Sequence, residues 1–231
     1  MKLNTHTLFL LFLSNRCFCL THCALGRLRL TPGFVVSIYI MMHDDGAAPC
    51  HYGSISSLAI CKGGIRLTAQ VGDVICGVLG TTMLKLPRAA ERQRFDAVWF
   101  GIVSSILTME EYSQQHPDRP DSIYTFAADG TATQLLNPFH DAADTVQMKA
   151  DLHGKNVLLF SQVCRFSLNS VTAQPLLKAL PTELGRATRT LKLDPAICKV
   201  IEELAAMSDT AGRSLNYGST EAKRRATVEK W

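Results

Sequence analysis

The sequence has no apolar run of the roughly 18–20 residues that a membrane-spanning helix needs. It also lacks the phosphate-binding pattern G-x-x-x-x-G-K-[ST] and the dinucleotide pattern G-x-G-x-x-G. The hydrolase patterns G-x-S-x-G and H-E-x-x-H are absent as well. Eight cysteines in 231 residues are too few for a small disulfide scaffold. These absences exclude the best-marked enzyme classes, so function has to be inferred from less familiar local motifs.

The composition is that of a folded domain with little charge. Apolar residues make up 47% of the chain and charged residues 19%, which is enough apolar side chain to bury a core. Twenty-four basic and 20 acidic residues give a net charge of +4 with the histidines neutral. This mild excess of positive charge is compatible with a phosphate-bearing partner but does not require one.

Residues 1–32 differ from the rest of the chain, and we interpret them as a leader-like or non-domain extension. The apolar run Leu8–Leu13 follows a single lysine, as in a short secretory signal, but no good cleavage site follows it. A C-x-C-x-x-H-C cluster at residues 17–23 has no second ligand pair at zinc-finger distance, so we predict no metal site. We therefore expect an intracellular protein without a transmembrane segment, with secretion as the alternative.

The body of the chain predicts short strands separated by irregular loops and short helices. Five segments are rich in β-branched and aromatic residues and end at turn residues. They are residues 34–42, 74–79, 96–107, 122–126 and 155–160. The pattern favours an α+β fold, either a curved mixed sheet or a small, partly open barrel.

Two capping signals predict helices. Thr108 stands three residues before Glu111, which is the spacing of a capping box. Asp194-Pro195 begins a second helix, because aspartate caps and proline suits the first turn. We therefore divide the chain into the extension 1–32, an α+β domain at 33–193, and a C-terminal helix with a basic polar tail at 194–231.

Two histidines are candidates for acid–base chemistry. His43 precedes Asp44 and Asp45, and a carboxylate beside an imidazole stabilises its protonated form. A solvated turn is the competing interpretation of that segment. His140 is followed by nearby carboxylates and could move a proton or position a water, but the spacing does not define a metal site.

A second group of candidates surrounds a glycine pair. Lys62 and Arg66 flank Gly63-Gly64, so exposed amides beside two cations could hold a phosphate; a plain glycine turn is the alternative.

Three further residues are candidates for the site. Asp73 follows a turn glycine and could either cap that turn or serve as an orienting carboxylate. Cys61, next to a lysine, could be a reactive thiol or an inert buried one. Tyr124 could stack on a base.

The segment from Tyr39 to Gly80 resembles the opening of nucleotide modification associated domain 2. It carries, in order, a strand, a D-x-G-x-A-P loop, an L-A-x-C-K segment, I-R, and G-D with a strand and a glycine. The matching residues are Asp44, Gly46, Ala48 and Pro49; Leu58, Ala59, Cys61 and Lys62; Ile65 and Arg66; and Gly72, Asp73 and Gly77. Weaker similarity at residues 98–112, 121–140 and 154–167 extends the resemblance over roughly 35–190.

The chain departs from the family pattern at four places. An expected asparagine is Cys50, an expected proline is Gly63, and an expected tryptophan is Val74. An aromatic-glycine pair expected near residues 165–170 is replaced by Phe166-Ser167. The resemblance implies work beside enzymes that make or handle modified bases.

Together the residues and the resemblance predict a protein that binds, and in one interpretation modifies, a nucleotide or a base in nucleic acid. Lys62, Arg66 and Tyr124 would bind the substrate, and Asp45, Asp73 and His140 would be the catalytic groups. These side chains are then expected to converge on one hollow. The alternative is a reader of modified bases that does no chemistry. The residues do not decide whether the protein is an enzyme, and they identify neither a cofactor nor a protein partner.

Overall fold

A computed structural model describes most of the chain from Leu30 to Ser208. The residues described are 30, 32–42, 46–85, 93–137, 139–141, 143–166, 171–185 and 187–208. The proposed extension 1–32 and the basic tail fall almost wholly outside these residues. The division into 1–32, 33–193 and 194–231 therefore stays a prediction.

Nine strands and five α-helices make up the described part of the chain. The strands are β1 (Val35–Met41), β2 (Cys50–Tyr52), β3 (Ile55–Leu58), β4 (Val74–Leu79), β5 (Ala97–Thr108), β6 (Tyr124–Phe126), β7 (Ala132–Gln134), β8 (Asn156–Arg165) and β9 (Arg189–Lys192). The helices are α1 (Gly63–Thr68), α2 (Met109–Gln115), α3 (Thr145–His153), α4 (Gln174–Lys178) and α5 (Pro195–Ala206), with one 3₁₀ turn at Met83–Lys85.

Seven of the strands form one mixed sheet in the order β2-β3-β8-β5-β4-β1-β9. Only the β1–β4 pair within this sheet is parallel, and β6 and β7 form a separate antiparallel pair. The predicted α+β fold with a curved mixed sheet is confirmed, and the sheet does not close into a barrel. The predicted C-terminal helix is also confirmed, as α5.

Buried apolar side chains alternate between the two faces of the sheet, so each face has its own hydrophobic core. Successive residues of a strand point to opposite faces, so Ile38 and Tyr39 in β1 enter different cores. Ile38 packs in a core that α5 covers through Ile201, whereas Tyr39 packs in a core that α1 covers through Ile65. The helices therefore lie on both faces, and α1 brings the residues that follow β3 onto the Tyr39 face.

Close packing at the centre of the sheet explains one glycine. A Cβ atom at Gly77 would lie 2.5 Å from Nε1 of Trp99, so no larger residue fits there without a shift. Trp99 is fully buried, and its Nε1 donates to the Tyr39 hydroxyl at 3.0 Å. The register of the β4–β5 pair shifts at this point, between Gly77 and Val78.

A buried polar network anchors the β2–β3 hairpin to the rest of the fold. The Arg119 guanidinium donates to the main-chain oxygens of Cys50, at 3.2 Å, and Tyr52, at 2.9 Å. Arg119 also lies 3.3 Å from the Asp121 carboxylate, which in turn accepts a bond from Ser57 in β3. Because these buried donors and acceptors have partners, the network is a structural tie between the hairpin and the loop after α2.

The capping signals are confirmed at both helix starts. The Thr108 side chain accepts from the Glu111 amide at 3.1 Å, and the Glu111 carboxylate accepts from the Thr108 amide at 2.8 Å. The Asp194 carboxylate accepts from the Ile197 amide at 2.8 Å at the start of α5. Local side-chain bonds of this kind can be read from the sequence because they span only three residues.

Other elements differ from the sequence-based prediction. Residues 62–64 were expected as a turn, yet Gly63 begins α1. Helix α3 was not predicted, because its apolar residues do not recur at helical spacing. The three- and four-residue strands β2, β7 and β9 were also missed, since so short a run carries little periodic signal. Within the described residues, no helix has the length and apolar character that crossing a membrane requires.

Candidate functional site

Asp151, on α3, is the centre of a buried polar group. Its carboxylate is fully buried and accepts from the Cys61 amide at 2.6 Å and the Tyr124 hydroxyl at 2.9 Å. The Gln147 side chain, one turn earlier on the helix, donates to the same carboxylate at 3.2 Å. A buried carboxylate with several donors stays ionised and holds those donors in place. We call Cys61, Arg66, Tyr124, His140 and Asp151 the Asp151 cluster.

His140 lies between the carboxylate and a sulfur. Its Nδ1 is 3.0 Å from Oδ2 of Asp151, an ion-pair contact rather than a well-aligned hydrogen bond. Its Nε2 is 3.6 Å from Sγ of Cys61. The Asn137 side chain accepts from the amides of Phe139 and His140, so Asn137 shapes the loop that carries the imidazole. The His140 side chain is 9% exposed.

Cys61 occupies a tight turn between β3 and α1. Cys61 and Lys62 both have left-handed backbone conformations, with φ of 57° and 45°. Such conformations are unfavourable for non-glycine residues and persist where surrounding contacts hold them. The Cys61 amide is held by Asp151, and its side chain is half-buried. The turn therefore places a sulfur beside the imidazole at the edge of the Asp151 cluster.

Arg66 connects the cysteine turn to the segment that carries the aspartate. Its guanidinium is fully buried and donates to the main-chain oxygens of Cys61 at 2.8 Å, Asn156 at 2.8 Å and Asp151 at 2.5 Å. Its Nη2 also lies 3.9 Å from the Asp151 carboxylate. The guanidinium thus bonds to three main-chain oxygens, one in the cysteine turn and two near the end of α3, a use of arginine that a lysine cannot reproduce.

The charges of the cluster reinforce one another. Burial opposes protonation of His140, but the Asp151 carboxylate and the Cys61 sulfur outweigh it and raise the pKa of His140 to about 10. Burial also opposes ionisation of Asp151, yet its contact with His140 and the hydrogen bond from the Cys61 amide hold its pKa below the usual value. Burial and the neighbouring carboxylate raise the pKa of Tyr124, so the phenol stays a donor. The resting cluster is therefore an imidazolium–carboxylate pair beside a sulfur.

Lys62 lies next to the cluster along the chain but directs its ammonium elsewhere. Nζ is 4.5 Å from the centre of the Tyr39 ring and 3.4 Å from the main-chain oxygen of Ile40. Burial lowers the pKa of Lys62. A partly desolvated ammonium held by a ring and one carbonyl retains capacity for a further acceptor.

The structure gathers three of the six predicted site residues directly around Asp151, namely His140, Arg66 and Tyr124. Asp73 is placed differently, since its carboxylate accepts from the amides of Val35, at 3.0 Å, and Gln70, at 2.8 Å. Within the described residues it has no hydrogen bond or ion pair with the Asp151 cluster. Asp45 lies outside the described residues, so its predicted catalytic role stays a prediction.

Sequence reasoning missed the residue at the centre of the cluster. Asp151 stands in the unpredicted helix α3, and the cysteine turn that it contacts lies 90 residues earlier. Cys61 was left open as either a reactive or an inert buried thiol, and the lysine that follows it was the one signal for reactivity. A local signal for its pairing with His140 does not exist, because 79 residues separate the two.

A small cavity borders the cluster on the Tyr124 side. Its volume is only about 10 Å³, and its lining includes Tyr112, Asp121 and Tyr124. That volume is below the roughly 300–1,000 Å³ of most ligand pockets. Among the described residues, histidine, cysteine and acidic side chains form no group of three or more suited to a metal ion.

Comparison with known families places this cluster in a named domain. The family model described as nucleotide modification associated domain 2 matches residues 35–206, which is most of the chain. The chain belongs to this family. The match confirms the resemblance seen in the sequence, and every member of the Asp151 cluster lies inside the nucleotide modification associated domain 2 region. Searches of curated proteins and of solved structures found no match.

Proposed function

We propose that this protein binds a nucleotide, or a base within nucleic acid, and alters it chemically at the Asp151 cluster. Membership of nucleotide modification associated domain 2 supports the substrate class. The observation that carries the proposal of chemistry is the convergence of His140, Tyr124 and Cys61 on one buried carboxylate. Ionisable groups gathered from distant segments, with shifted pKa values, are typical of catalytic sites.

His140 is the acid–base group of this proposal. One ring nitrogen is held by Asp151 and the other faces Cys61 at the partly exposed edge of the cluster. An imidazole held in this way can deliver or accept a proton through the nitrogen that does not face the carboxylate. Tyr124 is 2% exposed, and its hydroxyl donates a hydrogen bond to the Asp151 carboxylate.

Lys62 is the proposed contact for a substrate phosphate. Lys62 follows Cys61 in the chain, and its one side-chain hydrogen bond in the described residues, to the Ile40 carbonyl, leaves N–H donors for a further acceptor. Arg66 is fully buried and bonded to three main-chain oxygens, so a phosphate could reach it only by displacing those bonds. We therefore give Arg66 a positioning role. Asp45 and Asp73 stay predictions as catalytic groups.

Binding tests the proposed substrate class. The purified full chain is titrated with modified and unmodified nucleotides and oligonucleotides, and the Lys62→Ala variant is compared with Lys199→Ala. Lys199 is 77% exposed on α5 and is the matched control. We expect Lys62→Ala to weaken binding about tenfold or more, as loss of a charge-assisted contact does, and the control to bind like the wild type. Equal binding by both variants would show that Lys62 does not contact the ligand.

Product analysis separates an enzyme from a reader. The wild type and an Asp151→Asn variant are incubated with each nucleic acid that binds, and the bases are examined by mass spectrometry. An enzyme changes the mass of its substrate, and we expect that change to disappear in Asp151→Asn. If the protein binds a nucleic acid but changes the mass of no base, it is a non-catalytic reader of modified bases. That result would overturn the proposed chemistry.

A further inference from the structure

The two nitrogens of one imidazole connect a sulfur to a carboxylate. Sγ of Cys61 lies 3.6 Å from Nε2 of His140, and Nδ1 of the same ring lies 3.0 Å from Oδ2 of Asp151. A nucleophile, a base and a group that orients the base, in this order, define the arrangement of enzymes that form covalent intermediates. The order is recognised by geometry and does not depend on fold or on position in the chain.

Cys61 is distinguished from the other cysteines by its surroundings. Of the five cysteines in the described residues, Cys61 alone is not buried. Burial raises the pKa of the Cys76 thiol to about 12, and burial also raises the pKa of Cys50. Thiols held in the protonated form are poor nucleophiles, whereas a partly exposed thiol beside a positively charged imidazole has the environment of a reactive one.

The backbone at Cys61 is held in the conformation that presents the sulfur. Cys61 and Lys62 are consecutive left-handed residues without being glycines. Asp151 binds the Cys61 amide and Arg66 binds the Cys61 carbonyl, so both polar groups of that residue are occupied. Strain maintained by buried contacts on each side of one residue is typical of a functional turn.

The same contacts couple the turn to the carboxylate. Asp151 accepts from the Cys61 amide through Oδ1 while Oδ2 faces the imidazole. One carboxylate therefore sets the position of both the sulfur-bearing residue and its base. Because Tyr124 and Gln147 also donate to it, the carboxylate is an acceptor that orients the ring and is not itself the base.

We propose that Cys61 is a covalent nucleophile, that His140 transfers its protons, and that Asp151 positions His140. This inference names the chemistry of the site proposed above and depends on that proposal for its nucleotide substrate. The substrate class it implies is an amide or amidine carbon of a nucleotide or base that bears an amine leaving group, with water as the second reactant.

The reaction proceeds in two balanced halves. In the resting pair Nε2 of His140 already carries the proton, so the Cys61 sulfur forms a bond to the electrophilic carbon, the carbon–nitrogen bond breaks, and the departing amine takes the proton from Nε2. Water then gives a proton to Nε2 and its oxygen attacks the same carbon. The carbon–sulfur bond breaks, which frees the sulfur, and Nε2 keeps the proton that water gave, as in the resting pair. The net reaction is hydrolysis of a carbon–nitrogen bond, with no oxidant or reductant.

Alkylation of the intact protein tests the nucleophile without any nucleotide. The wild type is treated with iodoacetamide near pH 6, and the rate at Cys61 is read from its peptide by mass spectrometry. We expect Cys61 to react about tenfold or more faster than free N-acetylcysteine, because the positively charged imidazole 3.6 Å from its sulfur makes that sulfur a better nucleophile. The rate should fall about tenfold in His140→Gln and stay at the wild-type value in His153→Gln, an exposed histidine on α3.

Two results would show that Cys61 is not the nucleophile. One is a Cys61 rate equal to that of the free thiol, and the other is a His140→Gln variant that keeps its circular dichroism and the wild-type rate. Measurements of nucleotide turnover and binding then distinguish the covalent step from the proposed function. Nucleotide turnover that persists in Cys61→Ala refutes the covalent step and leaves the proposed function intact. If Cys61 is reactive but the protein binds no nucleotide or nucleic acid, the proposed function is refuted, and the proposal that Cys61 is a nucleophile still holds.

Discussion

The main-chain amide of Cys61 donates a 2.6 Å hydrogen bond to the carboxylate of Asp151, a residue 90 positions later in the chain. The bond joins the turn after β3 to helix α3, and His140 contacts both residues from a third segment. The cluster therefore exists only when three separate parts of the chain are folded together. The stability of the fold and the geometry of the site are therefore coupled.

Replacing Arg66 with methionine should strongly destabilise the fold. The variant leaves the carbonyls of Cys61, Asn156 and Asp151 without their buried donor and leaves the Asp151 carboxylate with less positive charge nearby. Breaking one partner of a buried ion pair costs about 3–5 kcal/mol. Urea unfolding of Arg66→Met measures the loss.

The exposed basic residue Lys199 supplies the comparison for that measurement. Lys199→Ala removes a surface pair with Glu203 and should change the free energy of unfolding by less than about 0.5 kcal/mol. An Arg66→Met protein as stable as the Lys199→Ala protein would mean that the buried guanidinium does not hold the two segments together.

The stability of the protein should depend on pH through His140. Its pKa is raised from 6.5 to about 10 in the folded state, so the folded protein binds the proton more tightly than the unfolded chain does. The contribution is fully present below about pH 6.5 and is lost as the pH rises through about 10. The wild type should therefore lose stability across this window, and the His140→Gln variant should lose less.

Urea unfolding at a series of pH values checks the His140 contribution. The difference in free energy of unfolding between the wild type and His140→Gln should shrink as the pH rises through the window. His153→Gln, altered at an exposed histidine of the same helix region, should follow the wild-type profile. Parallel curves for the wild type and His140→Gln would show that the imidazolium does not stabilise the cluster.

Gly154 should tolerate no side chain. A Cβ atom there would lie 2.5 Å from Cζ of Arg66, in a fully packed interior. Gly154→Ala must displace the guanidinium or the backbone, and overpacking of this kind costs about 1–3 kcal/mol. Thermal unfolding monitored by circular dichroism measures the change.

Gly64 is the matched control for Gly154. A Cβ atom at Gly64 meets no atom within 4 Å, and the residue lies in α1. Alanine favours a helix over glycine by about 0.5–1 kcal/mol, so Gly64→Ala should leave stability unchanged or raise it. If Gly154→Ala were as stable as Gly64→Ala, the packing of Arg66 against α3 would be looser than described.

The capping box at the start of α2 should contribute measurably to stability. Thr108→Ala removes the acceptor for the Glu111 amide and weakens the reciprocal bond. Loss of an N-cap costs about 0.5–2 kcal/mol. Thr81→Ala, at an exposed turn without a side-chain hydrogen bond in the described residues, should change stability by less than about 0.5 kcal/mol. Equal transition temperatures in thermal unfolding would contradict a capping role for Thr108.

Some residues of the site could be found from the sequence and others could not. His140 stands out because histidine titrates near neutral pH, and Arg66 because it follows a glycine pair after a lysine. The burial of Arg66 has no local signal, since its partners Asp151 and Asn156 lie more than eighty residues away. A cation next to glycines is equally compatible with a phosphate contact and with an interior tie, and only packing separates the two.

The sequence by itself determined the α+β class, the long central strands, the capped starts of α2 and α5, and membership of the family. Each of these depends on residues that are close together in the chain or on an ordered set of short motifs. Only the tertiary structure decided how the site is assembled. It formed helix α3 without an amphipathic pattern, buried Asp151 within it, and brought Cys61 and His140 to one carboxylate. Contacts across 79 and 90 residues form through chain folding, so no local pattern encodes them.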